Sequence, residues 1–279
     1  MNSDAVVRTV ELVPGYPVLE VDHPTCTARL ALHGAHLMSW CPEGEEEVLY
    51  LSPDAVYREG KAIRGGIPIC WPWFNAHPSD PELPSHGVAR SQFWELLSKE
   101  CDEEGVRLEL GMKHEGWNLV ARFRLGRELV VELESSNTSE VTQSLSGALH
   151  SYLQVGDVEE VIIKQLDGAD YLDTVGERVM RKQKGEVRIG EEVDRIYESS
   201  GPVLLEDARL KRSLLVEKEG SPSTVVWNPW SEKAGALADL PDDGFRDFVC
   251  IEAAIANEKA VTVGPGKSHC LATRISVLR

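Results

Sequence analysis

The recurring signal along the chain is period two. Leu119, Ala121, Phe123 and Leu125 alternate with Val120, Arg122 and Arg124, as in a strand that buries one face. Leu271, Thr273, Ile275 and Val277 repeat the pattern against Ala272, Arg274 and Ser276. Shorter β-rich runs fall at 17–21, 27–32, 48–51, 129–133, 203–205, 213–216 and 224–227, separated by Gly, Pro, Asp and Ser clusters. That spacing predicts a sandwich or barrel. Leu125-Gly126-Arg127-Glu128 reads as a hairpin connection. One short helix is predicted over 231–237, with Ser231 as its N-cap and Gly235 weakening it. Nothing alternates strands with long amphipathic helices, as a parallel α/β sheet requires. The pattern predicts an all-β protein: one large antiparallel β-sandwich domain over residues 1–279, with very few short helices.

Composition adds limits. With 279 residues, 42% of them hydrophobic, the chain can bury a large core without disulfide or metal staples. Lys+Arg number 29 against 46 Asp+Glu, a net charge of −17, and a nucleic-acid backbone would repel such a protein. A few arginines can still hold a small phosphorylated ligand locally. The charge and the single-domain reading favour a monomer. No stretch approaches the roughly 18 apolar residues of a membrane span, and Met1-Asn2-Ser3-Asp4-Ala5 begins no secretory leader. Six cysteines (Cys26, Cys41, Cys70, Cys101, Cys250, Cys270) stand singly, most in apolar runs, and read as buried reduced thiols of a cytoplasmic protein.

Four segments are chemically unusual for plain strands and turns. In Ile63-Arg64-Gly65-Gly66-Ile67-Pro68-Ile69-Cys70-Trp71-Pro72-Trp73-Phe74, glycines allow close backbone approach and aromatics offer flat surface for a sugar ring. Arg64 adds a forked donor for a carboxylate or phosphate. Read alone, the segment is better explained as a proline-rich turn packed under the sandwich. His86 and Arg90 lie four apart in Pro84-Ser85-His86-Gly87-Val88-Ala89-Arg90, a loop position suited to binding. His150 shares a strand face with Ala148 and Tyr152, which leaves room for a ligand beside an imidazole that titrates near neutrality. A wet-face structural histidine fits that pattern as well. Glu252, inside Phe248-Val249-Cys250-Ile251-Glu252-Ala253-Ala254, is the most informative residue. A carboxylate in an apolar strand is costly unless it is partnered or used, and burial would raise its pKa toward that of a general base. Asp194 is a weaker candidate in an already acidic neighbourhood.

Other chemistries lack support. His33 and His36 lie three apart without a carboxylate–histidine cluster at ligand spacing. The chain carries no dinucleotide fingerprint, no Gly-Lys-Ser/Thr phosphate loop and no Gly-x-Ser-x-Gly elbow.

In their joint order these segments resemble the aldose 1-epimerase (galactose mutarotase) superfamily, and within it the glucose-6-phosphate 1-epimerases. The residues that carry the resemblance include Gly34-Ala35-His36-Leu37, Ile63-Arg64-Gly65-Gly66-Ile67-Pro68, Trp71-Pro72-Trp73-Phe74 and His86-Gly87-Val88-Ala89-Arg90. Leu149-His150-Ser151-Tyr152, Glu192-Val193-Asp194-Arg195-Ile196-Tyr197, Trp227-Asn228-Pro229-Trp230 and Ile251-Glu252-Ala253 complete it. The resemblance implies an isomerase with a galactose mutarotase-like sandwich. It would interconvert the α and β anomers of a hexose 6-phosphate with no cofactor and no metal. It also implies Glu252 as the general base on the C1 hydroxyl and His150 as the general acid on the ring oxygen. His86 and Asp194 would bind the sugar, Arg64 and Arg90 would receive the phosphate, and Trp73 would pack on the ring. The loop 76–84 is acidic beside that phosphate site, which leaves Lys113 and Lys233 as further candidates. Two alternatives stay open in the sequence: an epimerase for free aldoses, and a non-catalytic sugar-phosphate-binding sandwich.

Overall fold

A computed structural model of the chain describes residues 5–279. Residues 1–4, on which the reading of an absent leader rests, lie outside the described residues. Two eight-stranded antiparallel sheets dominate the fold. The first runs Val179–Lys182, Asp170–Asp173, Val193–Tyr197, Ser223–Asn228, Phe248–Ile255, Gly147–Leu149 and Ile69–Cys70, and Tyr152–Gln154 also pairs with Phe248–Ile255. The second runs Val161–Lys164, Val203–Asp207, Arg212–Glu219, Ser268–Leu278, Glu128–Asn137, Trp117–Gly126, Gly105–His114 and Glu95–Cys101. An amino-terminal meander of four strands (Val6–Glu11, Pro17–His23, Cys26–Ala31, His36–Pro42) goes beyond the expected two layers.

The period-two reading is borne out where it was strongest. Leu119, Ala121, Phe123 and Leu125 are all buried, and the tight turn at Arg127 joins their strand to Glu128–Asn137. Leu271 and Ile275 join the same continuous core, which also takes Val249, Ile251, Ala253 and Ile255 from the first sheet. Their alternates on Phe248–Ile255 are buried too: Phe248 stacks on Tyr50, and Ala254 belongs to a second cluster with Cys70, Ala148, Ile196 and Val225.

Three local expectations change. The run 48–51 makes single bridges, Leu49 to Leu153 and Leu51 to Gly65, in place of a regular strand. The helix spans Trp230–Gly235, so Ser231 falls inside it, and the Asn228 side-chain oxygen accepts the Trp230 N–H at 2.9 Å. Asn228 wins that place because it is already fixed by bonds from its amide to the Phe245 and Phe248 carbonyls. All six cysteines are free, but only Cys26, Cys70 and Cys250 are buried. Cys101 ends an edge strand, and Cys270 lies on the outward alternation of Ser268–Leu278, so both are exposed.

Candidate active site

Strand register brings the unusual residues together. Ile196 pairs with Val225, and Val225 with Glu252. On the other side of Glu252, the pairs Leu149 to Ala253 and Tyr152 to Cys250 keep one register across a two-residue gap. His150 therefore falls opposite Glu252. In that gap the His150 N–H donates to the Pro68 carbonyl at 3.0 Å, and the Ser151 carbonyl accepts from Ile251. Two residues along the register, Asp194 pairs with Trp227 on the same face of the sheet.

Loops supply the remaining wall. Gly66 has φ +61°, and an added Cβ would lie 2.2 Å from the Leu37 carbonyl oxygen, so only glycine lets the chain turn there. The turn is held by bonds from Ser52 N–H to the Arg64 carbonyl, from His36 Nε2–H to the Gly65 carbonyl and from Tyr152 N–H to the Gly66 carbonyl. Gly87, at φ +74°, passes so close to the Trp71 carbonyl that a Cβ would stand 1.9 Å from it, which sets His86 over the sheet. Backbone bonds couple His86 to Asn75 in both directions: its N–H donates to the Asn75 carbonyl, and the Asn75 N–H donates to its Nδ1. With Nδ1 accepting, the His86 proton sits on Nε2.

The result is a cleft of about 290 Å³, near the lower end of small-ligand pockets at about 300 Å³. Arg64, His86, Arg90, His150, Asp194 and Glu252 line it together, with Phe74, Asn75, Tyr152, Val225, Trp227 and Lys233. His150 Nδ1 stands 3.4 Å from Glu252 Oε1. Glu252 is 1% exposed, and neither its Oε2 nor His150 Nδ1 has a hydrogen-bond partner among the described residues. Buried polar atoms without partners are costly, and here they border a cleft. The His150 ring is held by a parallel stack on Tyr152 and an edge contact with Trp227.

Burial pushes the Glu252 carboxyl well above its ordinary pKa, reinforced by the Asp194 charge and opposed by Arg90. Burial pushes His150 well below 6.5, and His86, Arg90 and Arg64 add to the effect. The environment thus favours the uncharged pair, a protonated carboxyl beside a neutral imidazole. His86 falls to about 3, chiefly through burial and then through Arg90 and Arg64, so it is a neutral donor at physiological pH. Asp194 is raised by burial, with Thr174 and Lys233 pulling the other way.

The cations differ in their partners. Arg64 Nε donates to Asp239 Oδ1 at 3.1 Å and its Nη1 to the Tyr152 hydroxyl at 2.9 Å. Lys233 is tied to Glu192 at 2.8 Å on the rim. Arg90 donates to the Ser85 carbonyl and makes no ion pair among the described residues. Lys113 is exposed on the second sheet, away from the cleft.

Trp73 stands apart from the residues that line the cleft. Its indole N–H donates to the Pro84 carbonyl at 2.9 Å, and its ring meets His77 in the loop. Trp71 is buried in the core, and Phe74 faces His86 at 5.1 Å. Sequence reasoning passed over Asn75, Val225 and Asp239 and treated Tyr152 only as a neighbour of His150. Tyr152 could have been found, since it lies two residues on along the same strand face. Asp239 gave no signal, being 175 positions from Arg64. His33 and His36 do separate work: the first takes the Gly60 N–H and bonds Tyr16, the second bonds Gly65.

The sequence model of the family described as "Aldose 1-epimerase" matches residues 17–276. An Escherichia coli (strain K12) protein named "Putative glucose-6-phosphate 1-epimerase" is 38% identical over 275 residues, covering 94% of this chain and 90% of that protein. A Salmonella typhimurium (strain LT2) protein of the same name is 36% identical over 277 residues, covering 92% and 91%. The crystal structure of "a putative mutarotase (YeaD) from Salmonella typhimurium" superposes with a TM-score of 0.90 at 33% identity, over 98% of this chain and 97% of that one.

Proposed function

The chain belongs to the aldose 1-epimerase family, and from that premise we propose that it interconverts the α and β anomers of a hexose 6-phosphate, glucose 6-phosphate first among them. The observation that carries the reading is the register that sets His150 opposite Glu252, 3.4 Å apart, at the floor of a cleft with Arg90 on its wall.

The pair moves one proton on and one proton off. Glu252 takes the proton of the C1 hydroxyl while His150 gives one to the ring oxygen. The C1–O5 bond breaks, its electrons stay on O5, and the C1–O1 bond becomes a carbonyl. Rotation about C1–C2 and reclosure on the other face return both protons and give the other anomer. The ionised pair that starts this step and the uncharged pair that ends it hold the same number of protons. Burial favours the second, so the open-chain state is stabilised relative to what water offers. Positioned acid–base help of about 10²–10⁴-fold per group suffices, and nothing in the step calls for a cofactor.

Around the pair, His86 offers a neutral N–H and Asp194 an acceptor to the sugar hydroxyls, and Trp227 and Phe74 offer ring faces. The phosphate goes to the basic side, with Arg90 and Arg64 as its receivers and Lys233 near the rim. One observation favours a second reading, an epimerase of free aldoses: Asp239 and Glu192 offset two of the three cations. The single core running from Leu19 to Ile275 supports treating the chain as one domain. The six free thiols support a cytoplasmic setting, and the net charge of −17 supports a monomer.

Magnetisation-transfer NMR of anomer exchange tests the proposal, with glucose 6-phosphate, glucose and galactose as substrates. Faster exchange of the phosphorylated sugar alone is the expected result. Acceleration of the free sugars moves the assignment to the second reading. Binding without acceleration of any sugar overturns both.

A further inference from the structure

Asp239, outside the cleft lining, starts a line of direct contacts that runs through Arg64 and Tyr152 to His150. Asp239 accepts from Arg64, Arg64 donates to the Tyr152 hydroxyl, and the Tyr152 ring lies 4.8 Å from the imidazole with the planes 11° apart. Ser52 pins both members of the ion pair: its N–H donates to the Arg64 carbonyl at 3.1 Å and its hydroxyl to the Asp239 carbonyl at 2.7 Å. Tyr152 is buried and packs against Phe248 and Trp227. The carboxylate of Asp239 thus spends much of the Arg64 charge inside the protein, whereas the Arg90 charge stays unpaired among the described residues.

We propose that Asp239, acting through Arg64 and Tyr152, is a positioning residue for the general acid, and that this line holds the His150 ring. The inference deepens the proposed function and depends on the acid role given there to His150. A parallel stack fixes the plane of the imidazole, and the hydrogen bond to the hydroxyl fixes the ring on which it lies. A tilted imidazole would aim its proton off the line to the ring oxygen, which costs rate far more than binding. Loss of this line therefore lowers kcat for every hexose turned over. Loss of Arg90 instead raises KM for the phosphorylated sugar.

A double-mutant cycle on the full chain tests it, using Asp239→Asn, Tyr152→Phe and the pair, with anomer exchange of glucose 6-phosphate as the assay. Tyr152→Phe keeps the stacked ring and so guards against simple unfolding. Each single variant is expected to lower kcat by about 5–30-fold, with KM changed by less than about threefold and the double variant no worse than the poorer single. The imidazole ¹⁵N signals of His150 move in the same direction in both singles. A rise in KM with kcat intact in Asp239→Asn overturns the inference, as do multiplying kcat losses or unmoved His150 signals. If the unaltered protein accelerates no sugar, the proposed function falls, and the His150 signals still decide whether these side chains hold the ring.

Discussion

His150 and Glu252 face one another in register across two antiparallel strands, with Nδ1 3.4 Å from Oε1 and neither Nδ1 nor Oε2 hydrogen-bonded among the described residues. The pair is one proton-transfer unit, so each half is needed. Glu252→Gln and His150→Asn are each expected to lower kcat for anomer exchange by about 10²–10⁴-fold while circular dichroism stays that of a folded β protein. Full activity in both variants would sink the assignment.

The opposed pKa shifts set the shape of the pH profile. The working pair holds one proton. Because Glu252 is raised and His150 lowered, the second proton binds only in acid and the last leaves only in alkali. A broad plateau through neutrality is expected in kcat/KM, which reports the free enzyme's acid and base, falling on both sides. A sharp optimum a unit wide, measured by exchange NMR from pH 4 to 10, would contradict it.

Stability carries a separate pH signature. His36 and His86 are each lowered to about 3, chiefly by burial, from an unfolded value of 6.5. The unfolded chain therefore binds more protons than the folded one between these values. Their contribution is complete above pH 6.5 and is lost progressively as pH falls toward 3. Melting temperature is expected to drop over that interval. Replacing His36 with Gln flattens part of the slope, and an unchanged slope argues against the buried neutral histidine.

Arg90 offers a test of phosphate recognition. A charge-assisted hydrogen bond is worth about 1.5–3 kcal/mol, so Arg90→Ala is expected to raise KM for glucose 6-phosphate roughly 10–100-fold. Affinity for free glucose stays as it was. Equal losses for both sugars would remove Arg90 from the phosphate site.

Gly66→Ala probes the turn that presents Arg64. It places a Cβ in the left-handed region and 2.2 Å from the Leu37 carbonyl oxygen. A loss of about 2–4 kcal/mol in urea unfolding is expected. A neutral effect would mean that the loop can move aside.

Much of the site was legible in the sequence because its polar members sit where the pattern forbids them. Glu252 breaks an apolar strand, and His150 stands beside small residues on another, so each advertised itself without a partner in view. What one sequence does not carry is which distant segments meet. Asp239 pairs with Arg64 through a tertiary contact that no local rule describes. Trp73 and Phe74 are chemically alike and adjacent, and tertiary contacts separate them: Trp73 bonds Pro84 and meets His77, whereas Phe74 bonds Ser146 and meets His86. The Ser231 cap failed for a similar reason, since tertiary bonds had already fixed Asn228 in the competing position. The cysteines were misjudged where an edge or an outward alternation exposes a residue type that is usually hidden.

Every residue of Phe248–Ile255 is buried, and that one strand serves as both the middle of the sandwich and the floor of the cleft. Its amide hydrogens are then among the last to exchange with solvent, because freeing them requires opening the whole core. Glu252 travels with that slowest unit. Heating should leave no folded but inactive intermediate: anomer exchange and native structure disappear in one cooperative transition, and reactivation on cooling tracks refolding of the core.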